Sequence, residues 1–138
     1  MVDATALDYS MTRPMSAADV TALLHQTPWA TTRLEVDVAQ MLAASVCAGA
    51  WDSDRLVGFA RVLTDGVYRT FLEDVVVDEA YRGGGIGDRL VRYLLENIAP
   101  VEDVILTTSE NRRAFYERMG FHSYDAIHMN TKPKRQQA

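Results

Sequence analysis

Residues 75–87 read Val-Val-Val-Asp-Glu-Ala-Tyr-Arg-Gly-Gly-Gly-Ile-Gly, an apolar strand segment that passes through a glycine turn into an amphipathic helix. The first turn of a helix leaves its N–H groups without intrahelical partners and carries the positive end of the helix dipole, so this arrangement suits a bound anion such as a pyrophosphate. Gly85 and Gly87 remove the side-chain atoms that would block its approach. A nucleotide-hydrolase loop would end in Gly-Lys-Ser/Thr, and the chain has no lysine before Lys132. A dinucleotide fold would need parallel strands around the loop, which the hairpins upstream argue against. The plain alternative is a glycine turn that only joins strand to helix. It is weakened because three adjacent glycines cost helix propensity without adding packing.

Other reactive residues carry less. Cys47 lies between Val46 and Ala48 with no histidine beside it, which reads as a structural thiol rather than a nucleophile. His25, His122 and His128 have no partners at ligand spacing, and no Cys or His pairing predicts a metal site.

The elements that must position the loop follow from periodicity. Ser16-Ala17-Ala18-Asp19 resembles a capping box, and Val20, Leu23 and Leu24 recur at helical spacing, which predicts a helix to about His25 after a short strand over 7–11. Thr27-Pro28-Trp29 breaks it, and Leu34, Val38, Met41 and Leu42 predict a second helix. Strands are expected over 46–51, 56–63 and 68–77, joined by turns at Asp52-Ser53-Asp54 and Asp65-Gly66. Ile86, Leu90, Leu94 and Ile98 mark the apolar stripe of a third helix, ended before Pro100. A buried strand over 104–106 follows, then a helix capped by Ser109 or Asn111 and running to Met119, with Gly120 at its C′ position. A last strand is expected over 121–129, and a frayed polar tail over 130–138.

Composition sets the frame. The 138 residues, 48% of them hydrophobic, suit one domain over 1–138. No apolar stretch approaches the roughly 20 residues of a membrane span, and the first residues lack a signal-peptide pattern. A single cysteine fits a reducing cytoplasm. Residues 1–131 carry 11 basic against 19 acidic side chains, a balance of −8 that disfavours nucleic acid and mildly favours a cationic partner.

Arg82-Gly83-Gly84-Gly85-Ile86-Gly87 resembles the Arg/Gln-x-x-Gly-x-Gly/Ala signature of the GCN5-related N-acetyltransferases (GNAT), in the same register after a strand. Residues 111–121, Asn-Arg-Arg-Ala-Phe-Tyr-Glu-Arg-Met-Gly-Phe, are similar to that family's second signature, shortened by two positions between the asparagine and the aromatic pair. The resemblance covers roughly residues 56–121. It implies an α/β (α+β) fold, with a mixed, mostly antiparallel central sheet of about six to seven strands flanked by four helices. It also implies acetyl transfer from acetyl-coenzyme A to a primary amine of a small molecule or peptide, with no metal, and leaves a homodimer open.

The resemblance further implies roles. Val75 and Val77 would hold the pantetheine arm through their backbones, with the Val75 N–H aimed at the thioester oxygen. Arg82, Gly83, Gly84, Gly85, Ile86 and Gly87 would form the pyrophosphate loop, and Asn111 would touch the coenzyme arm unless it only caps a helix. Tyr116 would lie at the sulfur and return a proton to the departing thiolate, unless it is only a core aromatic. Some relatives carry a glutamate base four residues before the oxyanion position, which is Phe71 here, so Glu73 and Asp74 become the nearest candidates. Strand alternation places those two on opposite faces unless a bulge intervenes. Trp29, Thr31, Thr32 and Arg33 are expected to line the acceptor pocket. The missing glutamate also supports a competing reading, an acyl-coenzyme A-responsive binding module without turnover.

Overall fold

A computed structural model describes residues 2–132 in two compact units that meet in sequence at Leu106/Thr107. The first unit holds β1 (Asp8–Ser10), α1 (Ala17–Leu24), α2 (Glu35–Ala44), β2 (Val46–Asp52), β3 (Arg55–Thr64), β4 (Arg69–Val77), α3 (Ile86–Glu96) and β5 (Asp103–Leu106). Its strands form one sheet in chain order, antiparallel from β1 to β4, with β5 added parallel to β4. Three short 3₁₀ turns, at Ala4–Ala6, Glu79–Tyr81 and Glu110–Arg112, complete the described elements.

The start of α1 and the two hairpin turns follow the sequence signals. Ser16 caps α1, its hydroxyl accepting from the Asp19 N–H at 3.0 Å. The hairpin turn between β2 and β3 places Ser53 at φ 53, and Gly66 supplies the left-handed residue between β3 and β4.

The two sheet faces are packed differently. On one face Val20, Leu23, Leu24 and Val38 from α1 and α2, with Ala30 between them, close over Trp51, Leu56, Phe59 and Val76. On the other, α3 lies on small residues. A Cβ at Gly58 would sit 3.3 Å from both Ala50 Cβ and Leu90 Cδ2, and Ala48 pairs with Ala60 on the same surface. That flat floor admits Ile86, Leu90, Val91 and Leu94, all essentially buried, whose transfer from water is worth roughly 6–12 kcal/mol before the entropy of ordering is subtracted.

The second unit holds α4 (Arg113–Glu117). Gly120 at φ 93 and the bonds Gly120 N–H to Glu117 O and Phe121 N–H to Tyr116 O close a Schellman motif, as the expected C′ glycine requires. Neither Ser109 nor Asn111 caps α4. Its N-cap is Arg112, without a side-chain cap, and Asn111 lies in the preceding 3₁₀ turn, where it accepts from the Ser109 hydroxyl.

The strand expected over 121–129 does not form, so the described sheet has five strands rather than six or seven. Alternation explains why. One side of that segment would carry His122, Tyr124, Ala126 and His128, the other Ser123, Asp125, Ile127 and Met129, so neither side is continuously apolar, and Tyr124, Ile127 and Met129 are exposed. The tail expected over 130–138 lies outside the described residues from position 133 onward.

Candidate active site

Among the described residues, β4 is paired on both edges only in its first half. β5 matches it from Arg69↔Asp103 to Leu72↔Leu106 and stops there, whereas β3 continues alongside β4 to Val77. The direction of the exposed backbone can be derived. The Asp78 N–H donates to Val57 O of β3 at 2.8 Å, so Val57 and Asp78 form a hydrogen-bonded pair, as do Phe59 and Val76 two residues along. The intervening pairs, Gly58↔Val77 and Ala60↔Val75, are non-hydrogen-bonded, and the N–H and C=O groups of Val75 and Val77 therefore point away from β3, along the edge β5 leaves open. Arg82 confirms this at one atom, its Nε donating to Val77 O at 3.0 Å.

The strand leads directly into the glycine turn. Asp78 fixes the corner, its carboxylate accepting from the Ala80 N–H and from Arg55 Nη2, each at 2.9 Å. Burial pushes this carboxyl up, and the Ala80 amide and Arg55 outweigh that and hold it below the ordinary aspartate value. Gly83 and Gly85 both have left-handed φ, 87 and 85. Gly85 is the N-cap of α3 with no side chain to satisfy the first turn, and a Cβ built there would meet only Ala4 Cβ, at 4.0 Å. The glycine is thus demanded by backbone conformation, not by crowding within the chain. Arg82 is exposed beside this turn. An open strand edge followed by an uncapped helix start fits an extended arm ending in a pyrophosphate.

On the α1–α2 face, β4 bulges. Ala60 pairs with Val75 but Val62 pairs with Leu72, so Glu73 and Asp74 together oppose Arg61. The bulge switches the parity of β4 and brings both acidic residues to the same face, the condition under which strand alternation fails to separate them. They differ in surroundings. Asp74 is buried at 4% exposure, and its Oδ2 accepts from Arg33 Nη1 and Arg61 Nε, both at 2.6 Å. Glu73 is exposed and has no ion-pair partner among the described residues.

Arg33 is placed by the α1–α2 loop. Its carbonyl accepts from His25 Nε2 at 2.7 Å, and its guanidinium stacks over the half-exposed Trp29 ring with 5.4 Å to the centroid. Thr31 and Thr32 are exposed on the same loop. Arg61 also donates to Ser45 Oγ at 3.3 Å. Arg61 and Ser45 were not singled out by the sequence reading, although a lone charge inside the apolar run 56–63 is a signal that strand polarity could have flagged. Half-buried Cys47 pairs with Arg61 across the strands, and burial pushes its thiol up to about 11, against Arg61, which favours the thiolate.

Asn111 and Tyr116 lie in the second unit. Asn111 is exposed, whereas Tyr116 is buried between Phe115 and Phe121 in edge-to-face contacts with centroids at 4.9 and 5.9 Å. Burial raises the Tyr116 phenol above its ordinary value, with Arg112 acting weakly the other way.

Comparison with known proteins identifies the family. The sequence profile of the acetyltransferase (GNAT) domain matches residues 43–123. The chain is 26% identical over 119 residues to "Uncharacterized N-acetyltransferase ycf52-like" of Prochlorococcus marinus, covering 82% of this chain and 66% of that protein. It is 43% identical over 56 residues to glucosamine 6-phosphate N-acetyltransferase of Trypanosoma brucei brucei, covering 39% of this chain and 38% of the relative. The chain therefore spans between 38% and 66% of these two relatives' lengths. Among solved structures, an acetyltransferase of the GNAT family from Streptococcus pneumoniae superposes with a TM-score of 0.78 at 29% identity, over 94% of this chain and 99% of that one. With the glycine turn, the half-open β4 and more than half of its length inside the matched domain, the chain belongs to the GNAT acetyltransferase family.

Proposed function

We propose that this protein transfers the acetyl group of acetyl-coenzyme A to a primary amine by direct attack of the amine nitrogen on the thioester carbon, giving an amide and the free coenzyme thiol. The observation that carries the reading is the open edge of β4, where the backbone groups of Val75 and Val77 face outward immediately before the uncapped start of α3. In this reading Val77 holds the pantetheine arm, and the Val75 N–H donates to the thioester oxygen as negative charge develops there. The first-turn amides of α3, with Gly83, Gly84, Gly85, Ile86, Gly87 and Arg82, hold the pyrophosphate.

An alkylammonium must lose a proton before it can attack. Glu73 is assigned as the base: it is exposed on the acceptor face, whereas the Asp74 carboxylate is occupied by two guanidinium groups. By similarity to the family's second signature, Tyr116 is assigned the return of a proton to the departing thiolate and Asn111 a contact to the arm. Acceptors are small-molecule or peptide amines, and the similarity to a glucosamine 6-phosphate N-acetyltransferase makes amino-sugar phosphates a reasonable first member of the panel.

The test is release of thiol from acetyl-coenzyme A in the presence of a panel of primary amines, with coenzyme binding measured in parallel. Amine-dependent thiol release supports transfer. Binding of the coenzyme with no release for any amine supports instead a coenzyme-responsive module without turnover, the alternative suggested by Phe71 standing where some relatives carry a glutamate.

A further inference from the structure

We infer that the acceptor of this enzyme carries an oxyanion, a carboxylate or a phosphate, besides its amine, and that Arg33 is the residue that selects it. The inference rests on the transfer reading above and narrows its substrate class.

The argument starts from charge. Two guanidinium groups, Arg33 and Arg61, converge on the single buried carboxylate of Asp74, which leaves one positive charge in excess. The excess is not shared evenly. Arg61 is only 12% exposed and is committed through Nε to Asp74 and through Nη1 to Ser45. Arg33 is 33% exposed, and its side-chain hydrogen bonds among the described residues, to Asp74 Oδ2 and to Met41 Sδ, both run through Nη1.

Arg33 is therefore held at one corner, with the Nε–Nη2 edge of its fork left for a second planar or tetrahedral oxyanion. Its plane is fixed from below by Trp29, and its backbone by His25, so the edge is pre-oriented and little rotamer freedom remains to be lost on binding. A guanidinium placed only to neutralise Asp74 would not need this arrangement, since Arg61 already does so from a more buried position. Glu73 is the residue next to Asp74 and shares its face because of the bulge, which puts a free carboxylate for an ammonium beside an oriented guanidinium for an anion.

The experiment compares matched acceptors with the full chain and acetyl-coenzyme A. In one arm several L-amino acids are set against their carboxamides. In the other, phosphoethanolamine is set against ethanolamine. Rates are expressed per free amine, because the anion also changes the basicity of the nitrogen. The expected result is a kcat/KM higher by roughly tenfold to hundredfold for the anionic member of at least one pair, the range for a charge-assisted bidentate contact. Which arm responds tells carboxylate from phosphate. In Arg33→Lys, which keeps a charge for Asp74 but not the fork, that ratio should fall towards one. Turnover of the neutral members equal to or above that of the anionic members in both arms overturns this inference and leaves the transfer reading standing. No turnover of any amine despite coenzyme binding overturns both. If Arg33→Lys fails to fold, the ratios measured on the parent protein still decide.

Discussion

Arg61 Nε reaches Asp74 Oδ2 at 2.6 Å across the point where β4 sets two residues against one of β3. The ion pair and the bulge explain each other. Asp74 could be buried on this face only with a cation waiting there, and the bulge turns it to that cation on the same face as its exposed neighbour Glu73. In the transfer reading proposed above, two adjacent carboxylates thereby acquire different tasks, one structural and one available for proton transfer.

These tasks separate experimentally. Asp74→Asn leaves two guanidinium groups facing each other without a carboxylate. Loss of a fully buried pair costs more, but with Arg33 one-third exposed the expected loss is about 1–3 kcal/mol, seen as a melting temperature lower by roughly 3–10 °C. Glu73→Gln should leave the melting temperature within about a degree, as surface changes do. It should lower turnover by removing the carboxylate assigned to take the proton of the amine. If Asp74→Asn melts with the parent, or Glu73→Gln keeps its rate, the division of labour is wrong.

Much of the frame was legible from the sequence because it depends on local chemistry. Ser16 caps its helix, Gly120 closes its Schellman motif and Gly85 opens α3, each set by hydroxyl or glycine chemistry within a few residues. The bulge was not legible, because it depends on which β3 residue faces which β4 residue, a pairing between segments that no local pattern encodes. Arg61 is marked locally as a lone charge in the apolar run 56–63, but its partner Asp74, 13 positions away, is not. The strand expected over 121–129 does not form, and neither side of that segment is continuously apolar.

Gly85 provides a test of the anion site in which strain and obstruction can be told apart. Gly85→Val forces a β-branched residue to φ 85, which should cost about 1–2 kcal/mol or more and lower the melting temperature. Gly85→Asn tolerates the left-handed conformation better and has space, since only Ala4 Cβ lies within 4.0 Å of the added Cβ. Both place a side chain where the phosphate would approach in the proposed site. Acetyl-coenzyme A affinity should therefore fall in both variants, whereas the melting temperature should fall mainly in the valine one. Parent-like affinity in a folded Gly85→Asn protein removes the glycine turn from the coenzyme site.

Cys47 should be a slow thiol. With burial holding it at about 11, it stays protonated through neutral pH, and only a small fraction is thiolate at pH 8. The greater nucleophilicity of a high-pKa thiolate offsets part of this, leaving alkylation slower than that of a free cysteine by a factor on the order of ten. The rate should keep climbing with pH past 9, where a free thiol has levelled off. Rapid labelling at pH 7, together with loss of activity, would revive a covalent acetyl-cysteine route.

Tyr116 is the residue at which packing and catalysis make separable demands. Its ring meets Phe115 at 4.9 Å and Phe121 at 5.9 Å, both edge-to-face, and Tyr116→Phe keeps the ring in both contacts. The melting temperature should therefore change little. The hydroxyl is the part assigned to chemistry. Burial raises its pKa, so the neutral phenol persists beyond its ordinary range of about 10, and a limb that needs the protonated form should fall only at strongly alkaline pH. Because a proton given to a departing thiolate matters more as charge builds on sulfur, losing it should lower kcat by roughly 10²-fold while acetyl-coenzyme A affinity changes much less. The alkaline falling limb should vanish with the hydroxyl. Turnover unchanged in Tyr116→Phe, with a melting temperature that drops instead, would show a core aromatic whose hydroxyl serves packing alone and would shift the departure of the thiolate to water or to another donor.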